Sequence, residues 1–126
     1  MKKKLKSKDK KILCFDLDNV ICSTDKNNNY ELSKPKQKVI EFINELHKKG
    51  YLIKIFTARF MGRNNDNVKK AYSQGYKFTS KQLKSWGLKY HRLQMGKPSY
   101  DLFVDDKSIF YKRTWMNHFE KKLKSI

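Results

Sequence analysis

Two carboxylates separated by one residue, Asp16 and Asp18 in Phe15-Asp16-Leu17-Asp18-Asn19-Val20, leave the end of an apolar run. Such a pair could hold a metal, supply a nucleophile with its acid partner, or simply close a turn. A second acidic pair, Asp105-Asp106, follows Phe103-Val104 near the far end of the chain, where adjacent acids could equally cap a helix. Thr57 follows Ile55-Phe56, and its hydroxyl could do no more than bond nearby backbone. Lys97, in Gly96-Lys97-Pro98, reads singly as a solvated loop lysine, and Arg59 either reaches a ligand or lies on the surface. The chain has only twelve Asp and Glu, so four of them placed directly after strand-like runs carry information.

The elements that must position these groups alternate between strand and helix. Ile12–Phe15 reads as a strand ending at Asp16. Residues 19–34 are polar, with a turn at Asn27-Asn28-Asn29 and a return strand at Tyr30–Leu32. Pro35 opens a helix whose apolar face carries Val39, Ile40, Ile43 and Leu46, and Gly50 stops it. Tyr51–Thr57 is a second strand. A helix over Asn64–Gln74 is expected to end at Gly75, and Thr79 to cap another running to Trp86. Leu88–Leu93 and Leu102–Val104 complete the strands, and an amphipathic helix over 108–124 closes the chain. This order predicts an α/β fold: a three-layer, Rossmann-like open parallel sheet with helices on both faces. Residues 1–11 form a basic arm and 12–126 a single domain.

Sites in such sheets lie beyond the carboxyl ends of the strands, where Asp16, Thr57 and Asp105 all fall. Several carboxylates gathered at one edge repel each other and call for a cation. All-oxygen ligation with few fixed side chains suits Mg²⁺, which takes a phosphate oxygen as a further ligand. A hydroxyl and a lysine would hold the remaining phosphate oxygens, and a carboxylate could attack phosphorus.

In this order the motifs resemble those of the haloacid dehalogenase-like (HAD) superfamily of aspartate-nucleophile phosphatases: Asp16-Leu17-Asp18-Asn19-Val20, Ile55-Phe56-Thr57, Lys97 and Val104-Asp105-Asp106. Gly96 to Lys107 is similar to the small capsule-biosynthesis phosphatases, which lack a cap. The resemblance implies that Asp16 is the nucleophile and forms an aspartyl phosphate. It implies that Asp18 protonates the leaving alkoxide and later activates water. Asp16, the Asp18 carbonyl, Asp105 and Asp106 (directly or through water) would bind Mg²⁺, while Thr57 and Lys97 would hold the phosphoryl group.

The implied substrate is a phosphorylated sugar, or another small precursor or glycan intermediate of a surface polysaccharide. Thirty Lys and Arg against twelve acids give a formal charge of +18, which keeps two alternatives open. One is a nucleic-acid end phosphatase, the other a non-catalytic polyanion-binding module on the same fold. No apolar run approaches the length of a membrane span. Cys14 and Cys22, with neither zinc-ligand nor disulfide-framework spacing, read as small apolar fillers in a reducing cytoplasm. An open, capless site also leaves room for a neighbouring copy of the chain to supply a wall.

Overall fold

The computed structural model describes residues 11–126. The expected basic arm, up to residue 10, lies outside the described residues. Strand β1, Ile12–Phe15, pairs in parallel with β4, Leu52–Thr57, which pairs in parallel with β5, Arg92–Met95. The sheet order is β1-β4-β5. Two short strands, β2 (Cys22–Ser23) and β3 (Lys34–Pro35), form a separate antiparallel hairpin. Helix α1 spans Gln37–Lys49, α2 Val68–Ser85 and α3 Trp115–Ser125.

The fold class is the expected one, an α/β open parallel sheet flanked by helices. Alternate strand residues Leu13, Phe15, Ile53, Ile55 and Leu93 enter one core with Val39, Ile40, Ile43 and Leu46 of α1, Leu83 of α2 and Trp115 of α3. Phe15 also stacks on Phe119 at 5.3 Å, and Phe42 meets Trp115 edge-on at 5.7 Å. On the opposite sheet face Ile12, Cys14 and Arg92 are exposed, while Leu52, Lys54, Phe56 and Gln94 are half-buried. Cys14 is therefore no core filler, whereas Cys22 is.

Helix α1 ends as its sequence dictates. Gly50 turns left-handed (φ 105°), its N–H reaching Leu46 and His47 carbonyls, after a basic last turn that suits the helix dipole. Pro35 instead belongs to β3, a two-residue edge strand where a missing N–H costs little. Tyr30–Leu32 is a 3-10 turn, not a strand. Its Tyr30 ring is buried against Phe60, and the Asp25 carboxylate fixes the preceding turn by accepting from the N–H groups of Asn27 and Asn29.

The break expected at Gly75 is absent, and α2 runs through it. Gly75 is a packing glycine: a Cβ there would lie 2.3 Å from the Phe60 ring. Asn67 starts the helix by accepting from Lys70 N, while Thr79, far from capping anything, is fully buried mid-helix. The third strand starts later than expected because Leu88 N closes α2 on Leu83 O and Lys89 N is taken by the Asn44 side chain.

Leu102–Val104 forms no strand. Leu102 and Val104 are 87% and 91% exposed. Strand propensity is realised only against a paired neighbour, and a different set of contacts holds this segment. Phe103 stacks on Tyr100 at 4.8 Å with the Lys97 ammonium above both rings, and Asp105 makes a local turn by accepting from Lys107 N. The closing helix likewise starts late, at Trp115, after Tyr111 is tied to Lys36 by a 2.9 Å hydrogen bond. No helix among the described residues is long and apolar enough to cross a membrane.

Candidate active site

Beyond the carboxyl end of β1 the chain turns sharply. The Leu17 carbonyl accepts from Val20 and Ile21 N–H groups, Asn19 adopts φ 66°, and Leu17 and Ile21 are wholly buried. Burying Leu17 leaves its neighbours Asp16 and Asp18 on the pocket side. Both line a cavity of about 650 Å³, together with Lys97, Tyr100, Arg63 and Asn28.

Asp16 Oδ2 lies 3.3 Å from Lys97 Nζ, and Asp16 Oδ1 accepts from Leu17 N at 2.8 Å. Lys97 is delivered by Gly96, whose φ of 99° suits glycine and whose missing Cβ would sit 3.0 Å from Val68. Lys97 N then donates to Thr57 O, tying this loop to the end of β4. Burial pushes the Asp16 carboxyl above its ordinary value, against the opposing pull of Lys97 and the Leu17 N–H. Burial also works against the charged ammonium of Lys97, but Tyr100 and Asp16 outweigh it and hold Lys97 above its ordinary value.

Asp18 has a different environment. Arg59 Nε reaches its two oxygens at 3.1 and 3.0 Å, Arg59 NH2 reaches Oδ1 at 2.9 Å, and Thr24 Oγ1 donates to Oδ1 at 2.6 Å. Oδ2 has Arg59 Nε alone, so it is the oxygen with room for a proton. Arg59 does not lie on the surface: it lines the same cavity, paired with Asp18. It is fully buried, with NH1 donating to Gln82 Oε1 at 2.6 Å and its guanidinium 4.7 Å from the Tyr30 ring centre. The signal was absent from local sequence, because Thr79 and Gln82 come from α2 and Ser33 from the hairpin.

Thr57 is also fully buried, and its Oγ1 accepts from Arg59 N at 3.1 Å. Its oxygen thus serves the backbone two residues on as an acceptor, which leaves the O–H proton as a donor. Asp105 and Asp106 are exposed in the irregular segment after Val104. Among the described residues no three His, Cys, Asp or Glu side chains gather where they could hold a metal. Asp16, Asp105 and Asp106 form no such group, so the residues as placed do not present the implied Mg²⁺ ligand set. What the fold brings together is narrower: a carboxylate paired with a lysine, beside a second carboxylate locked by a buried arginine.

The residues missed in the sequence are Arg63, Tyr30, Asn28 and Tyr100. The usable signal was that Arg is scarce in this chain and that Arg63, like Arg59, follows the strand ending at Thr57.

No protein-family model and no curated protein matches this chain. Among solved structures, it is similar to the crystal structure of an MCSG target from Vibrio cholerae. The two share 26% identity with a TM-score of 0.73, over 89% of this chain and 98% of that one.

Proposed function

We propose that the chain is a phosphomonoester hydrolase of the HAD-like superfamily, working through an aspartyl phosphate, of the capless kind that acts on a phosphorylated sugar or glycan intermediate of surface polysaccharide. The observation that carries this reading is the Asp16–Lys97 pair, 3.3 Å apart at the carboxyl edge of the sheet in an open pocket that also holds Asp18. In the first step an Asp16 oxygen bonds to phosphorus and the ester P–O bond breaks. The departing alkoxide takes its proton from Asp18, for which Oδ2 is the better-placed oxygen. Asp18 then accepts a proton from water, whose oxygen attacks phosphorus and releases inorganic phosphate, restoring Asp16. Lys97 offsets negative charge on the transferring group. Mg²⁺ is proposed on the resemblance alone, and no step is assigned to it. The unpaired Cys14 and Cys22 support a reducing, cytoplasmic setting.

That no three acids gather among the described residues to hold a metal favours one rival, a polyanion-binding module without turnover. Phosphate release from a panel of sugar phosphates and phosphorylated oligonucleotides, with and without Mg²⁺, separates the readings. Turnover that falls at least about 10³-fold in Asp16→Asn, with folding intact, is the expected result. Absence of turnover on every ester, or residual activity within about tenfold of wild type, overturns it.

A further inference from the structure

Two of the three cations lining the pocket side chain by side chain are accounted for: Lys97 faces Asp16 and Arg59 faces Asp18. The third, Arg63, makes no ion pair among the described residues. Its guanidinium is nevertheless held in place, 4.7 Å from the Phe60 ring centre and 5.2 Å from that of Tyr30, with NH2 donating to Asn28 O at 3.1 Å. Nε and NH1 have no protein acceptor among the described residues. An arginine held against two rings and a carbonyl has already lost much of its rotational freedom, so an arriving anion meets a preorganised fork of donors.

The backbone beneath Arg63 is built at a cost. Phe60 has φ 66°, a left-handed conformation unusual for an aromatic residue, and Asn65 and Asp66 beyond the turn are left-handed too. The Phe60 ring fits only because α2 has glycine at 75, where a Cβ would lie 2.3 Å away. Glycine in a helix interior is itself unfavourable. Two poor local choices therefore converge on one outcome, a platform that presents Arg63 at the pocket rim.

The geometry points to Arg63 as an anion subsite for the leaving group: the substrate is a small phosphomonoester whose leaving group bears a second anionic group, a carboxylate or another phosphoryl. This assignment rests on the reading of Asp16 as the nucleophile, and a neutral leaving group would leave Arg63 unused.

The test compares glycerol 3-phosphate, 3-phosphoglycerate and propane-1,3-diol bisphosphate as substrates for wild type and Arg63→Gln. Wild type is expected to favour at least one of the doubly anionic esters over glycerol 3-phosphate by about tenfold or more in kcat/KM, mainly through KM. Arg63→Gln is expected to erase that ratio, and the favoured ester distinguishes carboxylate from phosphoryl. A wild type that does not discriminate, a ratio unchanged in Arg63→Gln, or stronger use of a 5′-phosphorylated oligonucleotide than of either small ester overturns the assignment. Equilibrium binding of the same three compounds to Asp16→Asn and to Asp16→Asn with Arg63→Gln reads the subsite without turnover. Tighter binding of a doubly anionic ester that depends on Arg63 supports the subsite even if no ester is hydrolysed, and its absence overturns the subsite even if hydrolysis is seen.

Discussion

Asp18 and Arg59 form a side-on pair in which Nε bridges both carboxylate oxygens, at 3.1 and 3.0 Å, and NH2 adds a third contact at 2.9 Å. Arg59 is fully buried and the Asp18 side chain 19% exposed, so the charges are largely screened from water but not from each other. Removing one member strands the other.

Arg59→Ala is therefore expected to cost about 3 kcal/mol or more of folding stability, the scale seen when one partner of a buried pair is lost. Urea denaturation checks this, and a loss below about 1 kcal/mol would contradict the described burial. Arg59→Lys recovers little, since a lysine cannot reach Asp18 and Gln82 together.

Gly75→Ala pits helix propensity against space. Alanine gains about 1 kcal/mol in a helix interior, but its Cβ meets the Phe60 ring at 2.3 Å, and overpacking of this kind typically costs about 1–3 kcal/mol. We expect net destabilisation in the wild-type background and a neutral or stabilising effect in Phe60→Ala, measured as a double-mutant cycle. Equal effects in both backgrounds would mean that the ring is not the obstacle.

Burial holds Asp16 above its ordinary carboxyl value, so the folded chain binds that proton more tightly than the unfolded chain does. The ionised side chain then subtracts from stability at neutral pH, and the deficit fades as pH falls through the raised folded value and is gone below the unfolded one. With a chelator present, Asp16→Asn should melt above wild type at about pH 7, the gap narrowing towards about pH 4. A lower melting temperature for Asp16→Asn at neutral pH would reverse the sign.

At the opposite end of the sheet His47 stacks on His91, 4.5 Å apart and 18° from parallel. Burial, then His91 and Lys89, hold His47 below its ordinary value of 6.5. The linked stability is intact above that value and lost as pH drops through the lower folded one. His91 Nδ1 also accepts from Ile53 N at 3.0 Å, a bond that needs an unprotonated Nδ1. Thermal unfolding of wild type should weaken between about pH 7.5 and pH 5.5, and His47→Gln should flatten that decline. An unchanged slope in the variant would assign the acid sensitivity elsewhere.

What could be read in advance followed local rules. β1 and the apolar face of α1 with its Gly50 stop depend on neighbouring residues, and their spacing declares them. The Asp16–Lys97 pair was legible because strand ends in a parallel sheet share one edge. Gly75 misled because a glycine that ends a helix and one that admits a ring look identical in sequence. Leu102–Val104 misled because a strand exists only with a partner beside it, and Asp105 and Asp106 went with it. Thr57 ended the expected strand, with its oxygen accepting from the Arg59 N–H. Arg59 was ambiguous because its anchoring side chains, Asp18, Cys22, Ser33, Thr79 and Gln82, come from distant segments.

That last arrangement makes one guanidinium a junction for the loop after β1 that carries Asp18, the hairpin and a helix. A genetic screen scoring lost activity would accordingly flag Thr79 and Gln82, although neither borders the cavity. Such hits would trace wiring behind Asp18, and only side-by-side measurement of melting and of the proposed turnover would keep them from being mistaken for chemistry.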